Sequence, residues 1–155
     1  MNALRILQAA VAILGAGFVA ANTASGQITN LWTLDFPFGF TAQYYDNMDL
    51  TNPRVTRRDH VIDFDWNVYP YYSGSPSPLI NSNTFSARWT GRIMPLYSES
   101  YTFYATTDDG IRVWINNQLV IDRWFDQAPT EYASAPIALT AGIEIDVRVE
   151  YYQNA

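Results

Sequence analysis

The sequence predicts an all-β domain, an antiparallel sandwich or barrel of short alternating strands joined by Gly, Pro and Asn turns. Three observations carry that prediction. In residues 85–124, Phe85, Ala87 and Trp89 alternate with Ser86, Arg88 and Thr90, the period of two that gives a strand one apolar and one polar face. Towards the C-terminus, Ile143, Ile145, Val147 and Val149 alternate with Glu144, Asp146, Arg148 and Glu150 over eight residues, the clearest amphipathic strand in the chain. Between the alternating runs lie turn formers: Asp108-Asp109-Gly110, Asn116-Asn117 and Ala141-Gly142.

Taken in order, residues 1–26 have Arg5 as their only charge, then an apolar run and small residues, the layout of a secretory signal helix with cleavage after Ala21, Ala24 or Gly26. The apolar run falls short of the ~20 residues that a spanning helix needs, so no transmembrane span is expected after the signal is removed. Residues 27–37 form a lead-in of low charge, and Trp32 and Phe36 within it and Phe38 just after it are expected to pack on the barrel edge. Residues 41–50 read as a strand that runs into a turn after Tyr44-Tyr45.

Residues 51–66 hold Arg57, Arg58, Asp59, His60, Asp63 and Asp65 and invite a catalytic reading, since paired carboxylates are the apparatus of glycoside hydrolysis. Ile62, Phe64 and Trp66 alternate with Asp63 and Asp65, however, and a strand with an apolar inner face and a solvated acidic outer face explains them better. The single histidine, His60, has no nucleophile in a recognisable setting, which argues against a Ser-His-Asp relay. Residues 67–83 form a long loop by composition, and Tyr69, Tyr71 and Tyr72 within it offer flat rings and phenol hydroxyls to a sugar.

The next alternating segments, around Phe85, Tyr101 and Ile111, with a return through Leu119-Val120-Ile121 after the Asn116-Asn117 turn, read as a β-meander. Residues 126–135 are irregular, and the strong strand after Gly142 runs into Tyr151-Tyr152-Gln153-Asn154-Ala155.

Composition narrows the function classes. All nine basic residues are arginine against fifteen acidic ones, a formal net charge of −6 that would repel a phosphate backbone, so nucleic-acid binding is not expected. Loss of Arg5 with the leader leaves eight basic against fifteen acidic side chains, or −7. Cysteine is absent, so there is no disulfide framework, thiolate metal site or lipoprotein anchor. The hydrophobic fraction of 48% suits one domain with a core of its own.

Several ordered blocks, AQYYDNMDL, VIDFDW, RWTGRI, TTDDGIRVWINNQLVID and LTAGIEIDVRVEYYQNA, resemble the PA14 domain family, found in bacterial β-glucosidases, toxins, adhesins and yeast flocculins. The resemblance covers residues 38–155 and implies a PA14-like β-sandwich or barrel whose last strand is missing, so that the chain is a fragment of a longer protein, the strand is supplied by something else, or its neighbour is left as an open edge. It also implies an accessory binding module and no enzyme. In the sugar-binding branch of that family the matching Asp-Asp pair is joined by a cis peptide and holds a calcium ion that the sugar's vicinal hydroxyls complete. Carried over, Asp108 and Asp109 become metal ligands, with Gln153 and Asn154 supplying further oxygens.

The expectation is therefore a secreted, extracellular or envelope-associated module that binds a glycan or polysaccharide through calcium, with Tyr69, Tyr71, Tyr72 or Trp124 selecting the sugar. The alternative for the bend is a purely structural turn, with Asp108 as a cap and Gly110 supplying a positive φ. On that reading the chain is a structural or interaction domain that binds no sugar, and a third possibility is a hydrolase acting through Asp63.

Overall fold

Alternation becomes strand wherever one face can be buried, and the two longest alternating runs form the centre of the molecule. The computed structural model describes residues 3–8, 11–12, 39–67 and 73–154, and all its regular structure is β. Thirteen strands follow in chain order: β1 Ala3–Gln8, β2 Val11–Ala12, β3 Phe40–Tyr45, β4 Pro53–Asp59, β5 Asp63–Asp65, β6 Thr84–Pro95, β7 Glu99–Tyr101, β8 Phe103–Thr107, β9 Gly110–Ile115, β10 Gln118–Arg123, β11 Thr130–Ala133, β12 Ile137–Leu139 and β13 Ile145–Asn154. The larger sheet has the order β10-β9-β13-β6-β3-β4, with β2 also on β6, and the smaller has the order β11-β8-β1-β5. Every pairing is antiparallel.

β13 and β6 are the spine. They pair from Ile145 opposite Ile93 to Asn154 opposite Thr84, and β9 lines the other side of β13. Their inward rings meet those of the smaller sheet: Trp66, just after β5, lies edge-on to Phe85 at 5.1 Å and 5.4 Å from Tyr151, while Phe64 of β5 stacks on Trp66 at 5.3 Å. Trp66, Trp89, Tyr44, Phe85 and Tyr151 are all fully buried, each burial contributing about 1.5–3 kcal/mol.

Ile62 and Phe64 are buried between exposed Val61 and Asp63, so residues 61–66 have the inner and outer faces that their alternation predicts. Asn116 and Asn117 have φ of 49° and 63°, the left-handed values of a two-residue hairpin turn between β9 and β10.

Two expectations are corrected. The segments read as a meander are not neighbours in one sheet: β6 lies between β13 and β3, β8 belongs to the smaller sheet, and only β9 and β10 form a hairpin. Period two fixes which face of a strand is buried and says nothing about which strand lies beside it. The C-terminal strand begins at Ile145 and not at Ile143, which is exposed at the end of a turn closed by Ile143 N donating to Thr140 O and tied to β6 by Gly142 N donating to Pro95 O. β1, from the segment expected to be a leader, lies between β8 and β5, antiparallel to both.

Within the leader, Ala3–Gln8 and Val11–Ala12 are extended strands, and the remainder of the expected signal helix lies outside the described residues. Trp32, Phe36 and Phe38 lie outside them as well. Among the described residues no helix is long and apolar enough to cross a membrane.

Candidate functional site: the acidic bend between β8 and β9

β8 ends on the buried Thr107 and β9 begins at Gly110, so Asp108 and Asp109 make the whole connection between these two strands, which lie in different sheets. The peptide between them is cis, as the family resemblance implies. Thr107 Oγ1 donates to Asp109 O at 3.0 Å, closing the bend on itself. Gly110 is required for space and not for a positive φ: a Cβ there would lie 2.0 Å from the ring of Tyr152, far inside contact distance.

Asp109 is only 5% exposed, and both its carboxylate oxygens are held by main-chain donors. Gln127 N donates to Oδ1 at 2.9 Å and Asn154 N to Oδ2 at 2.7 Å, while Gln127 Nε2 donates to Asp109 O at 2.8 Å. Tyr132 Oη in turn donates to Gln127 Oε1. Asp108 is half-buried beside it, and burial first, then the charge of Asp109, pushes its pKa above the ordinary carboxylate value. Tyr151 Oη supports the bend from inside, 2.6 Å from Asp108 O and 2.7 Å from Gln153 Oε1. Burial, and then the two neighbouring carboxylates, raise the Tyr151 phenol well above its usual pKa, so it remains a donor.

A second bracket closes the rim. Asp126 Oδ1 accepts from Tyr152 Oη at 2.7 Å and its Oδ2 accepts from Asn154 Nδ2 at 2.8 Å, and these two hydrogen bonds lower its pKa. Trp124 packs edge-on to Tyr152 at 4.8 Å, and the Arg112 guanidinium lies 3.9 Å from its ring centroid.

The structure thus brings Asp108, Asp109, Gln153 and Asn154 together. Asn154 touches the pair directly, whereas Gln153, 2% exposed, reaches it through Tyr151. Trp124 stands beside the bend, partly covered by Arg112; Tyr69, Tyr71 and Tyr72 lie outside the described residues. Sequence reasoning missed Tyr151, Tyr152, Asp126 and Gln127. The first two share the strongest strand with Gln153, a signal that was available; the last two sit in an irregular stretch where no periodicity marks them.

Among the described residues no three His, Cys, Asp or Glu side chains converge to hold a metal ion. A cation here would therefore rest on the two carboxylates completed by amide, main-chain or ligand oxygens, a donor set that suits a hard ion such as calcium. The paired carboxylates fit that role, since each Asp109 oxygen, with one main-chain donor, keeps a lone pair. A separate groove of about 360 Å³ lies further along the larger sheet, lined by Thr90, Arg92, Trp114, Asn117, Asp146 and Arg148, and does not include the bend.

The PA14 domain model matches residues 38–155, and the chain belongs to that family. It is 46% identical over 116 residues to the anti-sigma-I factor RsgI3 of Acetivibrio thermocellus, covering 75% of this chain and 17% of that protein. The solved structure of an anti-sigma factor domain-containing protein from Clostridium clariflavum is 44% identical with a TM-score of 0.67, over 76% of this chain and 38% of that one. The PA14 sugar-binding domain from an RTX adhesin matches with a TM-score of 0.55 at 18% identity, over 75% of this chain and 82% of that one, a likeness of fold. The chain thus spans less than two-fifths of the anti-sigma factor proteins that it resembles. As named, the first two are anti-sigma factor proteins and the third is a sugar-binding domain.

Proposed function

We propose that this chain is a non-catalytic carbohydrate-binding module, exported from the cytoplasm, whose acidic bend holds a calcium ion that a glycan's vicinal hydroxyls complete. The observation that carries this reading is the state of the two carboxylates. Asp109 is buried with both oxygens fixed by Gln127 N and Asn154 N, and the half-buried Asp108 beside it has its pKa pushed up. Two like charges removed from water side by side are costly unless a cation lies between them, and a doubly charged ion offsets both. Asp108, Asp109 and the Asn154 amide oxygen would hold the ion, with Gln153 supporting the pair through Tyr151. When bound, the ion supplies open coordination positions for hydroxyl oxygens; the chain supplies the half-buried ring of Trp124, backed by Tyr152, against which a sugar ring can rest. That a domain of the same fold in an RTX adhesin is a sugar-binding domain is in keeping with a carbohydrate ligand.

The relatives at 44–46% identity favour a setting for this module: it belongs to a longer regulatory protein of the anti-sigma factor kind, where it reports the presence of a polysaccharide.

A glycan array probed with and without calcium tests the chemistry. Binding to at least one glycan is expected in calcium, lost in EGTA and lost on Asp109→Ala. Calcium at a hundred times its Kd should also add about 2.7 kcal/mol of stability, raising Tm by roughly 5–10 °C. A Tm indifferent to calcium, together with a blank array, would leave the bend as a structural turn.

A further inference from the structure

The amide of Asn154 has two ends of opposite use, since its oxygen can ligate a cation and its nitrogen cannot. Which end faces the acidic bend depends on what holds the other. Asn154 N lies 2.7 Å from Asp109 Oδ2, so the residue is anchored to the bend by its main chain, and its side chain turns on Asp126, whose Oδ2 is 2.8 Å from Asn154 Nδ2. An ionised carboxylate has no hydrogen to give, so it can be met only by the NH2 end. Asp126 itself is fixed by Tyr152 Oη at 2.7 Å, and the Tyr152 ring by Trp124 and by its seat over Gly110.

From this geometry we propose that Asp126 is a positioning residue: it grips the Asn154 side chain by Nδ2 and so leaves Oδ1 as the end offered to a cation at the Asp108-Asp109 bend. The inference rests on the calcium reading above and adds to it the residue that orders the third ligand. It also gives the irregular stretch after β10 a purpose, since Trp124, Asp126 and Gln127 all bear on the bend from that one stretch.

Asp126→Asn is the informative variant, because an amide at 126 can donate as well as accept and no longer dictates the orientation of its neighbour. Loss of an outer partner of a metal ligand weakens metal binding about tenfold or more. In about 0.5 M KCl, where the lost charge is screened, calcorimetric titration of calcium should show that loss for Asp126→Asn. In an Asn154→Ala background, which has no amide to orient, adding Asp126→Asn should cost nothing further. A double variant markedly weaker than Asn154→Ala alone would overturn the proposal, since Asp126 would then act on the ion without Asn154.

A second readout needs no calcium. In EGTA, the side-chain NH2 resonances of Asn154 should shift and exchange faster with water in Asp126→Asn; unchanged resonances would overturn the proposal whether or not calcium binds. Resonances that do shift, in a protein whose wild type takes up no calcium, would uphold the Asp126 contact and remove the calcium reading alone.

Discussion

At the scale of single residues, the bend was legible because its two carboxylates are adjacent in the sequence, and adjacency is what makes their repulsion unavoidable. The residues that manage the repulsion are distant in the chain: Gln127 N and Asn154 N arrive 18 and 45 positions later, and nothing in a one-dimensional pattern joins them to Asp109. Asp108 carries a testable consequence. Burial and Asp109 raise its pKa above the ordinary 3.8. A carboxyl whose pKa is higher folded than unfolded favours the fold while protonated; that contribution is present below the unfolded value and is lost as pH rises through the folded one. In EGTA, the stability of the wild type minus that of Asp108→Asn should therefore fall as pH rises from about 3.8 through the acid range. Urea unfolding at a series of pH values measures it, and a difference that grew with pH would mean that Asp108 already has a cationic partner. Calcium should abolish the trend near neutrality, because the ion takes the place of the proton.

At the scale of elements, alternation in the sequence marks the strands but not which strands lie side by side. Phe85, Ala87 and Trp89 are buried as their alternation requires, yet β6, β8 and β9 are split between two sheets. The charged run before Trp66, which invites a catalytic reading, shows what the sequence alone leaves hidden. Asp59 is 7% exposed and accepts three hydrogen bonds: from Tyr44 Oη of β3 at 2.5 Å, from Arg57 Nε of its own strand β4 at 2.7 Å and from Trp89 Nε1 of β6 at 2.8 Å. It stitches three adjacent strands of the larger sheet, with burial and the Asp59 charge pushing the Tyr44 phenol far above its usual pKa. A buried acceptor of this kind cannot be replaced by its amide without turning an NH2 group towards a donor. Asp59→Asn should cost about 2–3 kcal/mol in chemical denaturation. A cost under about 0.5 kcal/mol would mean that water already shares the site.

At the scale of the whole molecule, the leader and the sandwich meet in a way that residue and element arguments do not foresee. The N-terminal sequence has the layout of a removable signal, yet Ala3–Gln8 is paired on one side with β5, Leu4 opposite Phe64, and on the other with β8, Ile6 opposite Ala105. The smaller sheet is continuous only through that strand. If export removes residues 1–26, β5 and β8 are left with facing unpaired edges, and a strand edge without a partner invites exchange, pairing with another chain or both. Hydrogen exchange on the full chain and on residues 27–155 separates the cases. In the shorter protein, the main-chain amides of Asp63–Asp65 and Phe103–Thr107 should exchange about tenfold faster or more, while those of β6 and β13, bonded to one another, keep their protection. The bend would feel the change through β8, since Thr107 both ends that strand and closes on Asp109 O, so calcium should slow exchange at Thr107 more in the shorter protein than in the full chain. Equal protection of β5 and β8 in both proteins would mean that the smaller sheet holds without its N-terminal strand and that β8 goes on anchoring the acidic bend through Thr107.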